Sequence, residues 1–235
     1  MCVTKLEPGN EETSYLRCYH VPRHCLPLLP IENQKSVMSR VCVFCGSRSG
    51  DDPEFINAAR QLGEYLVSNG HTLIYGGGGV GVMGAIADTM LERDGKVIGV
   101  IPAHLARAEV MHPRVADMRI TTDMHVRKAL MHELTDIYVA LPGGFGTMEE
   151  LFEAVTWAQL ELHARPIAVL NIAGLYAGLV ALLDAMQARG FLSAQCRSLL
   201  TVFETTAALV KWISAQSESM PQGTGPGIIV ATGTS

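Results

Sequence analysis

Ile137-Tyr138-Val139-Ala140-Leu141-Pro142-Gly143-Gly144-Phe145-Gly146-Thr147-Met148-Glu149-Glu150 decides how this chain reads. The apolar run Ile137 to Leu141 has the pattern of a strand buried on both faces, as in the middle of a parallel sheet. An amphipathic run from Leu151 to Leu162 has the pattern of a helix. Between them stand three glycines in four residues, a hydroxyl and two carboxylates. Glycines at a strand-to-helix turn let the backbone approach a ligand closely, and the free N–H groups of a helix start favour an anion. Thr147 and Glu150 also fit a capping box, in which the glutamate only satisfies the helix start. Both readings are open from the residues alone.

Working outward, the same strand–turn–helix alternation recurs. Val41 to Cys45 is a short apolar strand followed by the turn Gly46-Ser47-Arg48-Ser49-Gly50. Ser47 and Arg48 would then stand at the carboxyl end of a strand, where parallel sheets receive a phosphate or ribose. Asp52-Pro53 opens a helix that Asn69-Gly70 ends. Thr72 to Tyr75 is a second strand, followed by a glycine run and a helix from about Val82 to Arg93, then a third strand from Val97 to Ile101. Arg107 to Pro113, containing Glu109, reads as loop, and Arg119 to Thr121 as a strand end. Asp123 caps a helix through Leu134 that carries Arg127 and Lys128, neighbours about 100° apart on a helix. Strands at Pro166–Asn171 and Leu199–Phe203, and helices at Leu175–Gln187 and Thr205–Ala215, complete the pattern. The fold class is therefore α/β: a single doubly wound, Rossmann-like domain with a mainly parallel central sheet. It is expected over residues 38–215, between an irregular extension at 1–37 and a frayed tail at 216–235.

Two spacings suggest other chemistry. Gly79, Gly81 and Gly84 spell G-x-G-x-x-G between a strand and a helix. The motif follows the second strand, and no acidic residue closes the next one, so a phosphate cradle on backbone N–H groups is retained and a dinucleotide site is not. Cys42 and Cys45 form a C-x-x-C inside a strand, facing opposite sides, where a redox pair would need a helix N-terminus. They read as buried structural thiols. Cys18, His20, His24 and Cys25 match no zinc spacing, and no metal site is expected.

The 235 residues are 48% hydrophobic and 17% charged with a net charge of −5, which suits a globular core and gives no electrostatic reason to expect a nucleic-acid polymer or an anionic membrane as partner. Apolar runs are short and interrupted, so no transmembrane helix is expected. Six cysteines without framework spacing favour a reduced, cytoplasmic setting.

Three stretches in order carry a family resemblance. Pro142 to Glu150 resembles the PGGxGTxxE signature of the Lonely Guy (LOG) family of cytokinin-activating phosphoribohydrolases, often labelled "lysine decarboxylase-like". Met124-His125-Val126-Arg127-Lys128 and Tyr75-Gly76-Gly77-Gly78-Gly79-Val80-Gly81-Val82-Met83-Gly84 are the second and third matches. The resemblance runs from about Met38 to about Ser214. It implies hydrolysis of the N-glycosidic bond of an N6-prenylated adenosine 5′-monophosphate, or of AMP, to free base and ribose 5-phosphate. It implies Arg127 and Glu150 as catalytic residues. Ser47, Glu109, Arg127, Lys128, Gly143, Gly144, Phe145, Gly146, Thr147, Met148, Glu149, Glu150 and Thr156, with Gly77, Gly78, Gly79 and Gly81, are the substrate-binding candidates. A homodimer with sites near its interface is also implied, with Met124, His125, Leu130 and Met131 as candidate contacts. No cofactor is called for. Lysine decarboxylation is rejected on chemistry, because none of Lys5, Lys35, Lys96, Lys128 and Lys211 has a pyridoxal-phosphate context. The rival reading is a non-catalytic carrier of a nucleotide or of molybdenum cofactor.

Overall fold

The computed structural model describes residues 38–108 and 111–220. Seven strands form one sheet in the order β4-β3-β2-β1-β5-β6-β7. They are β1 (Arg40–Phe44), β2 (Thr72–Tyr75), β3 (Val97–Pro102), β4 (Asp117–Thr121), β5 (Ile137–Ala140), β6 (Ile167–Leu170) and β7 (Leu200–Phe203). Every pairing among them is parallel. The central strand β1 pairs with β2 on one side and with β5 on the other, in register Val41↔Ile137. The winding reverses between β1 and β5, and a crevice at the carboxyl ends of those two strands follows from that topology.

Helices cover both faces. They are α1 (Pro53–Ser68), α2 (Gly81–Leu91), α3 (Ala103–Ala108), α4 (Met124–Leu134), α5 (Phe145–Gln159), α6 (Ala177–Ala188), α7 (Ala194–Arg197) and α8 (Thr206–Ser219). Alternation along β1 sends Val41, Val43 and Cys45 into one core with Leu62 and Leu66 of α1, Ile86 of α2 and Leu209 of α8. Cys42 and Phe44 enter the other core, with Met131 of α4, Leu151 of α5 and Leu183 of α6. Leu62 and Leu66 are fully buried, and each such side chain contributes about 1.5–3 kcal/mol of hydrophobic stabilisation.

The expected caps are present where a side chain can reach. Asp52 accepts from the Glu54 N–H with Pro53 at the first helical position, and Asp123 accepts from His125 and Val126; Thr205, read only as a helix residue, also proves to be a cap and accepts from Ala208. Three differences from the sequence reading stand out. α3 forms between the third strand and the stretch read as loop, overlapping that stretch only at 107–108, and α7 is a short helix that the sequence reading lacks. α8 runs to Ser219, past the expected end at Ala215. The expectations for 1–37, including the Cys18/His20/His24/Cys25 group, for Glu109, and for a tail beyond 220 lie outside the described residues. Among the described residues no helix is long and apolar enough to cross a membrane.

Candidate active site

A cleft of about 620 Å³ opens at the β1/β5 switch point. Its wall includes Cys45 to Asp51 after β1, Gly76 after β2, Val82 and Met83 of α2, Met124 and Arg127 of α4, and Pro142 to Thr147 with Glu150. Backbone bonds tie these turns together. Gly46 N–H donates to the Pro142 carbonyl at 2.9 Å, and Met83 N–H donates to the Gly46 carbonyl at 3.1 Å. Two glycines are required by this close approach. Gly81 sits at φ 64°, and a Cβ there would collide with the backbone of Ser47 and Arg48. A Cβ on Gly143 would collide with Thr147 Oγ1 and lie 2.9 Å from the Gly46 nitrogen.

α5 starts at Phe145 with Gly144 as its N-cap, and no side chain caps it. Thr147 therefore lies within the first turn, and Glu150 beyond it. The capping-box alternative fails because Thr147 is not the cap residue. The first N–H groups of a helix have no intrahelical acceptor. Here they sit on the cleft wall, beside a Thr147 hydroxyl that is buried and has no hydrogen-bond partner. A buried hydroxyl without a partner, set beside open N–H groups, has donors to offer an anion.

Across the cleft, Arg127 is 9% exposed and Glu150 8%. Arg127 Nε donates to the Val100 carbonyl at 3.1 Å and Nη2 to that of Gly76 at 3.5 Å, so the ends of β3 and β2 aim the guanidinium. Its Nη2 stands 3.5 Å from Glu150 Oε1. Burial pushes the Glu150 carboxyl up to about 7, even though Arg127 and Lys128 pull it down; Glu149 and Glu153 add to the rise. A carboxyl in that range is partly ionised at neutral pH and can both hold and release a proton. Cys42 and Cys45 are free, buried thiols, and burial raises both well above the usual range, which suits structural thiols.

The structure brings Ser47, Arg127, Gly143, Gly144, Phe145, Gly146, Thr147 and Glu150 to one cleft, as the sequence suggested. Others do not line it. Gly77 and Gly78 are engaged by the following loop, through His112 N–H to the Gly77 carbonyl at 3.0 Å and a bridge between Gly78 and Met111. Gly79 packs behind Gly84, and Gly81 against Ser47. Met148 packs into the core under α5, and Thr156 is exposed two turns further along that helix. Lys128 and Glu149 form an ion pair with each other. Sequence reasoning missed Leu105, Leu175 and Met83 on the wall, and Tyr176, whose hydroxyl donates to the Leu141 carbonyl at 2.8 Å just before the glycine turn. No periodic signal marks these residues as site residues; only the tertiary fold assembles them.

A wholly parallel sheet with a glycine-lined cleft at its switch point, bearing one buried cation and one buried carboxyl, defines a Rossmann-like α/β protein built to receive an anionic ligand. Known proteins agree on the architecture. The molybdenum cofactor carrier protein of Chlamydomonas reinhardtii is 20% identical, with a TM-score of 0.60 over 77% of this chain and 99% of that one. The molybdenum cofactor binding protein of Rippkaea orientalis is 20% identical, with a TM-score of 0.58 over 77% and 98%. Likeness at that identity shows the fold alone. Sequence relatives are much nearer. The family described as "Possible lysine decarboxylase" matches residues 83–213. The probable cytokinin riboside 5′-monophosphate phosphoribohydrolase LOGL1 of Oryza sativa subsp. japonica is 46% identical over 180 residues, 77% of this chain and 81% of that protein. Cytokinin riboside 5′-monophosphate phosphoribohydrolase LOG3 of Arabidopsis thaliana is 42% identical over 178 residues, 76% and 83%. The chain belongs to the LOG family.

Proposed function

We propose that this protein hydrolyses the N-glycosidic bond of N6-modified adenosine 5′-monophosphates, and of AMP, releasing free base and ribose 5-phosphate. The observation that carries the reading is the pairing, in one cleft, of an uncapped helix start beside an orphaned Thr147 hydroxyl with a buried Arg127–Glu150 pair. The 5′-phosphate takes the N–H groups at the start of α5 and the Thr147 hydroxyl. The Gly77–Val82 loop is the poorer cradle, because its Gly77–Gly78 end is occupied by Met111 and His112.

With the phosphate held there, the ribose lies towards Glu150. Breaking the bond from C1′ to the base nitrogen builds positive charge on the sugar. An ionised Glu150 stabilises that charge and takes a proton from the attacking water, whose oxygen bonds to C1′. The base leaves with the electron pair of the broken bond and takes up a proton, which balances the one that Glu150 removed from the water. Arg127 favours the ionised form of Glu150 and orients it. Phe145, which is 97% exposed, forms an apolar rim with Leu105, Met124 and Leu175, suited to an apolar substituent on the base. No cofactor enters this chemistry. A homodimer in a reducing cytoplasm fits the family and the exposed Phe145.

Base release measured across AMP, isopentenyladenosine monophosphate and the matching nucleosides tests the reading. Monophosphates should be cleaved and nucleosides nearly not; equal kcat/KM for adenosine and AMP refutes the phosphate cradle. A carrier, the alternative, would retain its nucleotide and release no base.

A further inference from the structure

α4 carries two basic residues in succession, and the structure sends them different ways. Arg127 faces the cleft. Lys128 turns to α5, where its ammonium pairs with Glu149 and lies 3.0 Å from Glu153 Oε1, with the side chain 13% exposed. The second oxygen of Glu153 lies 3.3 Å from Nε2 of His132, one turn further along α4. His132 Nδ1 is 2.6 Å from the Tyr138 hydroxyl on β5. Arg165 donates to that hydroxyl at 3.0 Å and to the His132 carbonyl at 2.8 Å. The His132 ring also stacks on Trp157 of α5, with centroids 4.2 Å apart.

One placement of protons satisfies the whole chain. Arg165 can only donate, so the Tyr138 oxygen accepts from it and the Tyr138 O–H donates to His132 Nδ1. His132 Nε2–H then donates to Glu153, and Lys128 donates to Glu153 and Glu149. His132 is neutral in this arrangement, and burial indeed lowers its pKa. The network joins α4 to α5 at two successive levels. Arg127 immediately precedes Lys128, and Glu150 immediately follows Glu149.

We propose that Lys128 is a positioning residue: clasped between Glu149 and Glu153, it locks α4 to α5 and thereby sets the spacing and charge balance between Arg127 and Glu150. Lys128 does not itself line the cleft. This rests on the hydrolase reading for its effect on turnover, but the clasp itself is independent of it. The charged and titratable groups that act on Glu150 are Arg127 and Lys128 from α4 and Glu149 and Glu153 from α5, with the thiols of Cys42 and Cys45 on and just after β1. Lys128 favours the ionised carboxylate and Glu153 opposes it. Their removal must move Glu150 in opposite directions, which general damage to the helix pair would not do.

The experiment compares wild type, Lys128→Met, Lys128→Arg and Glu153→Gln in the full chain. Three quantities are measured: the titration of the Glu150 carboxyl by ¹³C NMR, AMP binding by calorimetry, and the pH dependence of base release. Lys128→Met should raise the Glu150 midpoint and the acidic limb of turnover, and Glu153→Gln should lower both. Lys128→Met should cut kcat by about tenfold while AMP affinity changes by less than about threefold, the signature of a loss felt in the transition state. Lys128→Arg should restore most of the turnover. A tenfold or greater loss of AMP affinity with an unmoved carboxyl titration would make Lys128 a nucleotide ligand and overturn the proposal. Shifts of the same sign in Lys128→Met and Glu153→Gln would also overturn it. Should Lys128→Met not fold, the downward shift in Glu153→Gln stands as the test on its own. Absence of base release from wild type would refute the hydrolase reading and leave the carboxyl titration to decide the clasp.

Discussion

Replacing Glu150 with glutamine separates what this side chain costs the fold from what it gives the chemistry. Burial moves its carboxyl from an ordinary 4.5 to about 7. A carboxyl raised in the folded state binds its proton more tightly there than in the unfolded chain, so folding is favoured by protonation. The destabilisation from the charged form is absent below about pH 4.5, grows as pH rises to about 7, and is complete above that. A shift of this size corresponds to roughly 3 kcal/mol. Glutamine keeps the shape and never ionises. The stability of Glu150→Gln relative to wild type should therefore move in favour of the variant by about 3 kcal/mol between pH 4 and pH 8, or about 6–12 °C in Tm for a chain of this size. Turnover should fall by about a hundredfold or more, the scale of losing a positioned acid–base group. The assay is thermal melting across pH beside steady-state base release at pH 8. A relative stability that stays flat across pH would refute the buried-charge argument. Near-normal turnover would remove Glu150 from the reaction and direct the search to Glu149 or Glu109.

Thr147→Val keeps the volume and removes an unpartnered hydroxyl, so stability should hold or rise slightly while AMP affinity drops about tenfold, read by melting and calorimetry together. Gly143→Ala places a methyl against Thr147 Oγ1 and the Gly46 nitrogen; it should lower stability by about 1–3 kcal/mol in denaturant titration and abolish AMP binding. A chain beginning at Met38 should fold and release base at the wild-type rate, because β1 begins at Arg40 and Ser39 is already tied to His71 and Ser217; loss of the folded state in circular dichroism would show that residues 1–37 belong to the domain.

Much of the architecture was legible because central parallel strands leave a plain trace. Thr72 to Tyr75 and Ile137 to Ala140 are short apolar runs that have no other use in a chain this polar between them. The Asp52-Pro53 and Asp123 helix starts were legible because a cap is a local interaction. The start of α5 was read too late. Gly144 and Gly146 lower helix propensity, while in the fold Thr147 packs closely against Gly143 in the first turn. α3 and α7 are too short to show a period. In the site, Arg127 and Glu150 were found through their motifs. Lys128, its neighbour, looked equivalent in sequence and is not, since one residue along a helix turns a side chain out of the cleft and into the α4–α5 seam. Ser47, far from the glycine motif in sequence, reaches the same cleft only because β1 pairs with β5.

That last pairing has a kinetic consequence. Val41 meets Ile137 only after β2, β3, β4 and helices α1 to α4 have been laid down between them. Closing so long a loop is slow and entropically costly, so the middle of the sheet should be among the later contacts made in folding and its rupture the event that commits the molecule to unfold. The cleft exists only across that seam. A nucleotide bound there would act as a clip on the least local strand pairing of the sheet. At a hundred times its Kd it should add about 2.7 kcal/mol to global stability, and amide protons at the centre of the sheet should exchange more slowly in step with that gain.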